Sequence, residues 1–347
     1  MILRRHSCFV APVFVSLFIL STQPTVFAQS EARPNEDSAS DGWQNVETNG
    51  FPTARHEAAL VGFGNKVYLL GGRRINPVDV FDPSDNSWTR KSETPMELHH
   101  FQGVAVDDAI YLMGAMTGRY PRETPLEKVV VYHPNEDRFE FVHSIPETRR
   151  RGGAGAVYRD GWIYLIGGIT NGHVDGCQPW FDRYDPKTGR WEVLADAPHA
   201  RDHFQAAIIG DRLFAAGGRV TSQRDNAVFS QTIAVIDVYD FATGQWLPEE
   251  ECPRLPTLRA GNSTVAVDGL LVVGCGESGE QKSAHAEVEV YDPATKRWSQ
   301  WPSMNQGRHG TGLVPIGDTL YTASGSGNRG GGPELQTTES LLIPTAE

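Results

Sequence analysis

Short apolar runs that close on small residues recur at regular intervals along the chain: Tyr68-Leu69-Leu70-Gly71-Gly72, Tyr111-Leu112-Met113-Gly114-Ala115, Tyr164-Leu165-Ile166-Gly167-Gly168, Phe214-Ala215-Ala216-Gly217-Gly218, Leu271-Val272-Val273-Gly274-Cys275 and Tyr321-Thr322-Ala323-Ser324-Gly325. A second phrase follows each of the first five, in which an aromatic and a polar residue precede a turn and another aromatic comes six positions later. It reads Phe81-Asp82 to Trp88, Tyr184-Asp185 to Trp191, Tyr239-Asp240 to Trp246 and Tyr291-Asp292 to Trp298, with a degenerate copy from Tyr132-His133 to Phe139. The result is six units with a period of roughly 50 residues, the range of propeller blades. Turn residues such as Asp160-Gly161, Asp268-Gly269, Asp185-Pro186 and Thr188-Gly189 divide each unit into four short runs, which predicts an antiparallel meander and one four-stranded blade per unit.

The sixth unit stops at Ser340-Leu341-Leu342-Ile343 with no aromatic phrase after it. Its missing strand is expected at the other end of the chain, because Trp43 precedes Arg55 by 12 positions as Phe139 precedes Arg151 by 12. Residues 42–47 therefore have the register of a fourth strand, and pairing them with the last unit would leave no free edge between first and last blades. The glycine pairs are expected where strands crowd the axis and a Cβ does not fit or φ turns positive. The late aromatic is expected to fill the widening space between blades.

The Gly-Gly pair, the Tyr-Asp pair and the Trp six positions on resemble the kelch motif, over essentially residues 42–345. The resemblance implies an all-β, six-bladed β-propeller of kelch repeats, with four antiparallel strands per blade and the last blade closed by the N-terminal strand. It implies little about activity, since kelch propellers serve as enzymes, carbohydrate binders and protein adaptors. In form the chain is similar to exported bacterial kelch proteins of the N-acetylneuraminate epimerase type.

Composition agrees with many short strands, at 39% hydrophobic residues with 36 Gly and 22 Pro. Arg4 and Arg5 ahead of an apolar run over residues 9–20, then Val26-Phe27-Ala28, predict a signal peptide over 1–28 and an exported protein, periplasmic or extracellular. The alternative, an uncleaved anchor, is disfavoured because the run is interrupted by Pro12 and too short for a hydrocarbon core of about 30 Å. Residues 29–41 are polar, acidic and Ser-rich and are expected to be a disordered tether before a single propeller at 42–347. No membrane span is expected in the mature protein. Cys177, Cys252 and Cys275 are odd in number and lack metal-ligand spacing, so at most one disulfide is possible. A formal charge of −12 argues against a nucleic-acid partner.

Candidate chemistry gathers where the connection into each blade meets the loop between its second and third strands. Counting back 13 positions from the second-strand aromatic gives Arg55, Leu98, Arg151, Arg201 and Arg308, with Arg259 matching after a one-residue deletion. Five arginines at one equivalent position would form a ring at a channel mouth, joined by Arg73, Arg74, Arg119, His173, Arg219, Arg224 and Arg329 from the loops. Guanidinium forks suit carboxylate, sulfate or phosphate oxygens. The competing account is that each Arg pairs with an acid or aromatic of a blade. The next position holds His56, His99, Gly152, Asp202, Ala260 and His309, with His100 and His203 directly after. Convergent imidazoles can hold a metal, but Arg and His on adjacent extended positions cannot both face the channel, and neither a metal nor a cofactor is expected. The third blade's segment from Thr170 to Gly176, ending in Trp180-Phe181-Asp182, offers polar groups beside aromatics suited to a sugar ring, and the Gly-rich segment from Ser326 to Gly332 is a lid or a linker.

The ligand-binding residues expected are thus Arg55, His56, His99, Arg151, His173, Arg201, Asp202, Arg259, Arg308 and His309, and the partner an anionic carbohydrate or acidic peptide. Two other functions stay open: a sugar mutarotase, epimerase or lyase using Glu57, Asp202, Glu277 or Glu280 with Arg201 or Arg308, and a protein-interaction scaffold. A copper radical oxidase is not supported, because Tyr132-His133 falls in an outer turn.

Overall fold

The computed structural model describes residues 42–344, so the expected signal peptide and tether lie outside the described residues. Six four-stranded antiparallel sheets follow one another along the chain. The first is Ala58–Phe63, Lys66–Gly71, Pro77–Asp82 and Ser87–Glu93; the next four repeat it, ending with Ala260–Val267, Leu270–Glu277, Val288–Asp292 and Arg297–Trp301. In the sixth, Val314–Ile316, Thr319–Ala323 and Thr338–Leu342 are completed by Gln44–Asn45, with Gln44 opposite Ser340 and Asn45 opposite Glu339. Two small ribbons stand in the loops between second and third strands: Met116–Thr117 with Thr124–Pro125, and Ile169–Asn171 with Asp175–Cys177. Among the described residues there is no α-helix, hence none long and apolar enough to cross a membrane.

The core is a ring of interfaces rather than one centre. Ala59, Tyr68 and Val78 of the first blade meet Ile110, Leu112 and Val130 of the second. Leu60, Leu69 and Phe81 of the same first blade meet Val314 and Ala323 of the sixth on the other face. Every blade is apolar on both faces, as buried sheets are. The repeated aromatics sit opposite each other across the third and fourth strands: Tyr184 pairs with Trp191 at 4.8 Å between ring centroids, and Tyr132 with Phe139 at 4.8 Å. The glycine pair has the predicted cause. Gly167 has φ +64°, and a Cβ there would lie 2.5 Å from the carbonyl of Arg201 in the next blade. The three described cysteines are free.

Candidate functional site

Each repeated arginine is consumed inside its own blade. Arg55, Arg151, Arg201, Arg259 and Arg308 are at most 2% exposed. Their partners are Asp79, Asp182 at 2.8 Å, Asp237 at 2.9 Å, Glu289 at 2.7 Å and Glu339, all on third strands at the position two before the first aromatic of the aromatic phrase or its equivalent. At least one further N–H of each bonds a carbonyl at the end of the second strand. Arg201, for example, donates to Ala215 and Gly217 at 2.8 and 2.9 Å. The glycine turn needs this, because it leaves those oxygens without a strand partner. In the second blade Leu98 replaces the arginine, and Val130 replaces the acid, both fully buried. The expected ring of free guanidinium forks at the mouth is therefore corrected: these five side chains point into the blades and offer no open fork to an anion.

Two positions after each arginine the chain reaches the axis. Glu57, His100, Gly153, His203, Gly261 and Gly310 all have φ between +55° and +63°. Their backbones bond around the channel: His100 N–H donates to Glu57, Gly153 to His100, His203 to Gly153, Gly261 to His203 and Gly310 to Gly261, at 2.5–3.2 Å, and Ala58 N–H closes the circle on Gly310 at 3.0 Å. Glycine is the natural occupant of such a position, so Glu57, His100 and His203 accept an unfavourable backbone in order to place side chains there. They line a narrow axial space of about 40 Å³, too small for a sugar.

Above it opens a cavity of about 340 Å³, bounded by His56, Glu57, Arg73, Tyr120, His173, Arg219, Val228, Phe229, Glu277, Gly330 and Gly331. Its polar walls are internally paired. Arg73 meets Glu123 at 2.6 Å, which also accepts from His173 at 3.1 Å. Arg219 meets Glu277 at 2.6 Å, and Glu277 accepts the Gly330 N–H at 2.7 Å. His56 bonds Glu334 at 2.7 Å. Two guanidinium groups in the lining are matched by two carboxylates, so the mouth is not basic. An open groove of about 740 Å³ adjoins it, sharing Arg73 and Tyr120 and adding Arg74, Ile75, Met96, Glu97 and Arg119.

The electrostatics lower Glu57 and Asp202 among the acids, and His100 and His173 among the imidazoles. Burial works to raise Glu57, but His309, His203, His56 and Arg73 outweigh it and bring the carboxyl down to about 2. Asp202 is likewise brought down to about 2 against its burial, by His203, Arg219 and Thr221. Burial and neighbouring cationic groups push His100 well below the ordinary histidine value, and burial also lowers His173.

Of the expected site residues, His56 and His173 line the cavity. His99, Asp202 and His309 are buried behind it, bonded to the Gly118 carbonyl, to His203 and Thr221, and to the Asn328 and Gly330 carbonyls respectively. The third-blade aromatic platform is also corrected: Phe181 and Asp182 are buried, and Trp180 lies 4.4 Å under the Arg149 guanidinium. The Gly-rich sixth-blade loop contributes Gly330 and Gly331 to the wall. Sequence reasoning missed Glu123, Tyr120 and Phe229, which come from loops outside the repeat. It named His100, His203 and Glu57 singly without aligning them as one third position, occupied only by Gly, Glu or His, that lies at the axis.

These features define a closed six-bladed kelch propeller with a polar pocket on its axis. The chain belongs to the Attractin/LZTR1 β-propeller family, whose model matches residues 33–284. It is similar to the Kelch-like protein terF of Aspergillus terreus, 29% identical over 309 residues that make up 82% of this chain and 64% of the relative. It is also similar to beta-scruin of Limulus polyphemus, 26% identical over 270 residues, 72% of this chain and 28% of that protein. The chain thus spans less than two thirds of the length of these curated relatives. The solved structure of YjhT shares the fold with a TM-score of 0.68 at 15% identity, covering 84% of this chain and 96% of that one.

Proposed function

We propose that the protein is an exported recognition module that binds a small carboxylated carbohydrate at the axial pocket and its adjoining groove. The observation that carries this is the joint between the two spaces. Tyr120 is half exposed and shared by both, and faces the cavity that Phe229 also lines. Aromatic faces accept the apolar side of a sugar ring while polar wall groups take its hydroxyls. The acidic group is assigned to Arg73 and Arg119 on the rim, in place of the buried arginines. Arg119 is exposed and in no ion pair among the described residues. Export is supported by the N-terminal pattern of Arg4, Arg5 and the apolar run after them.

Binding is favoured over turnover because the acids facing the pocket are held low. Ring opening of a sugar calls for a group that can donate a proton near neutral pH, whereas Glu57 is brought down to about 2 and Glu277 is also lowered, against its burial, by His309 and Arg219. The test is calorimetric titration of the folded protein with glucuronate, sialate and neutral glucose. Millimolar or tighter binding of an acidic sugar, lost in Arg119→Ala and in Tyr120→Ala while the melting temperature holds, is the expected result. Equal binding of glucose would remove the anion from the reading. Absence of any sugar binding would favour a protein partner.

A further inference from the structure

Three imidazoles converge on the floor of the pocket, and the hydrogen bonds behind them fix which nitrogen each turns inward. His203 Nδ1 bonds Asp202, and His173 Nδ1 bonds Glu123 Oε2 at 3.1 Å. An ionised carboxylate only accepts, so both Nδ1 atoms carry the proton. His99 Nε2 lies 3.0 Å from the Gly118 carbonyl and donates to it, which leaves its Nδ1 to accept from His100 Nδ1–H at 2.7 Å. All four rings are at most 5% exposed. With Nδ1 committed behind each ring, His100, His173 and His203 turn Nε2 to the shared space, where a neutral ring presents a lone pair. Those of His173 and His203 face each other at 3.0 Å. That of His100 is buried without a hydrogen-bond partner, 3.3 Å from Glu57 Oε2. Lone pair against lone pair, and lone pair against carboxylate oxygen, are repulsive contacts that a cation between them would turn into attractive ones.

We propose that His100, His173 and His203, with Glu57 as fourth ligand, form a binding site for a divalent transition metal of the zinc type. One nitrogen of each histidine lies within 4.8 Å of the other two. Metal–nitrogen bonds of about 2.0–2.1 Å at tetrahedral angles put neighbouring ligand atoms about 3.3 Å apart, the scale of the two contacts above. Three imidazoles and one carboxylate suit zinc, copper or nickel better than magnesium or calcium. Asp202, Glu123 and His99 stand behind the rings and set their tautomers, as outer partners of metal-bound histidines do. The site has an entry path, since Glu57 and His203 line the narrow axial space and Glu57 and His173 line the cavity above. The inference is independent of the sugar reading, because it rests on the imidazoles and not on the rim.

The experiment is titration of the whole chain, stripped with a chelator, with Zn²⁺ alone and with Co²⁺ as a visible probe. One equivalent should bind, raise the melting temperature and, for cobalt, give the intense visible bands of a tetrahedral site. His173→Gln and His203→Gln should each abolish the cobalt bands, and Asp202→Asn, a positioning change, should weaken binding by about 10- to 100-fold. His285→Gln, a buried histidine elsewhere in the fifth blade, should leave binding unchanged. Should either ligand variant fail to fold, Glu57→Gln carries the test by the same loss of affinity. No stoichiometric binding to the unaltered protein, or tetrahedral cobalt bands that persist in His173→Gln or His203→Gln, would overturn the proposal.

Discussion

A buried charge pair is weak evidence of stability, because desolvation offsets most of the attraction, but removing one partner strands the other. The five Arg–acid pairs sit in that regime, and the second blade provides the protein's own comparison by using Leu98 and Val130 in the same places. Arg201→Ala is accordingly expected to cost about 3–5 kcal/mol of folding stability, since Asp237 would be left buried and the Ala215 and Gly217 carbonyls would lose their donor. Arg201→Leu combined with Asp237→Val, copying the second blade, should recover a good part of that loss. Urea unfolding of the single and double variants reads both effects. A double variant as unstable as the sum of its singles would mean that the pair is not the unit, and Arg201→Ala that folds normally yet loses a ligand would restore the arginine ring as a binding site.

At the scale of the strand and blade, the sequence was most legible where a physical need recurs six times. The glycine turns, the cross-strand aromatics and the position of the fourth strand follow from period and spacing, because each blade must solve the same crowding at the axis and the same gap at the rim. The site was less legible for the opposite reason. Glu123, Tyr120 and Phe229 come from loops of unequal length that the period does not constrain, and their convergence depends on how the blades are arranged around the axis. The repeated arginines misled because an acid at a fixed place in the third strand, 24 residues after Arg55 but 36 after Arg201, is masked by those same loops. The aromatic phrase carries a prediction of its own. Burial raises Tyr132, Tyr184, Tyr239 and Tyr291, reinforced at Tyr132 by its bond to Asp137. A folded-state value above the unfolded one, about 10, means that the unfolded chain ionises first. The contribution is whole below that pH and is lost as pH rises past it. Tyrosinate absorbance should therefore lag in the native protein and complete only with alkaline unfolding; titration of all ten tyrosines near pH 10 in a still-folded chain would contradict the packing.

For the molecule as a whole, stability depends on a seam. Six interfaces close a ring, and only the one between sixth and first blades joins the two ends of the propeller sequence. One short segment stitches both sides of it. Gln44–Asn45 pairs with Thr338–Leu342 in the sixth blade, while Asn49 bridges to Ser87 on the outer strand of the first. Trp43 is buried among Met304, Trp301 and Leu341 and donates to the Pro302 carbonyl at 2.9 Å. Trp88 of the first blade donates in turn to Thr338 at 3.0 Å. Opening this seam would expose the paired edge of Thr338–Leu342 and an apolar face on either side, the condition for strand-edge aggregation. Trp43→Ala should then cost about 3–5 kcal/mol, as large-to-small changes of a buried tryptophan do. Deleting residues 42–48 should go further, removing strand and anchor together and leaving a chain that aggregates instead of melting cooperatively. Calorimetry with light scattering distinguishes the outcomes: a truncated protein that stays monomeric and melts in one transition near the full-length temperature would place closure in the apolar interface of Phe81, Trp88 and Val314 alone.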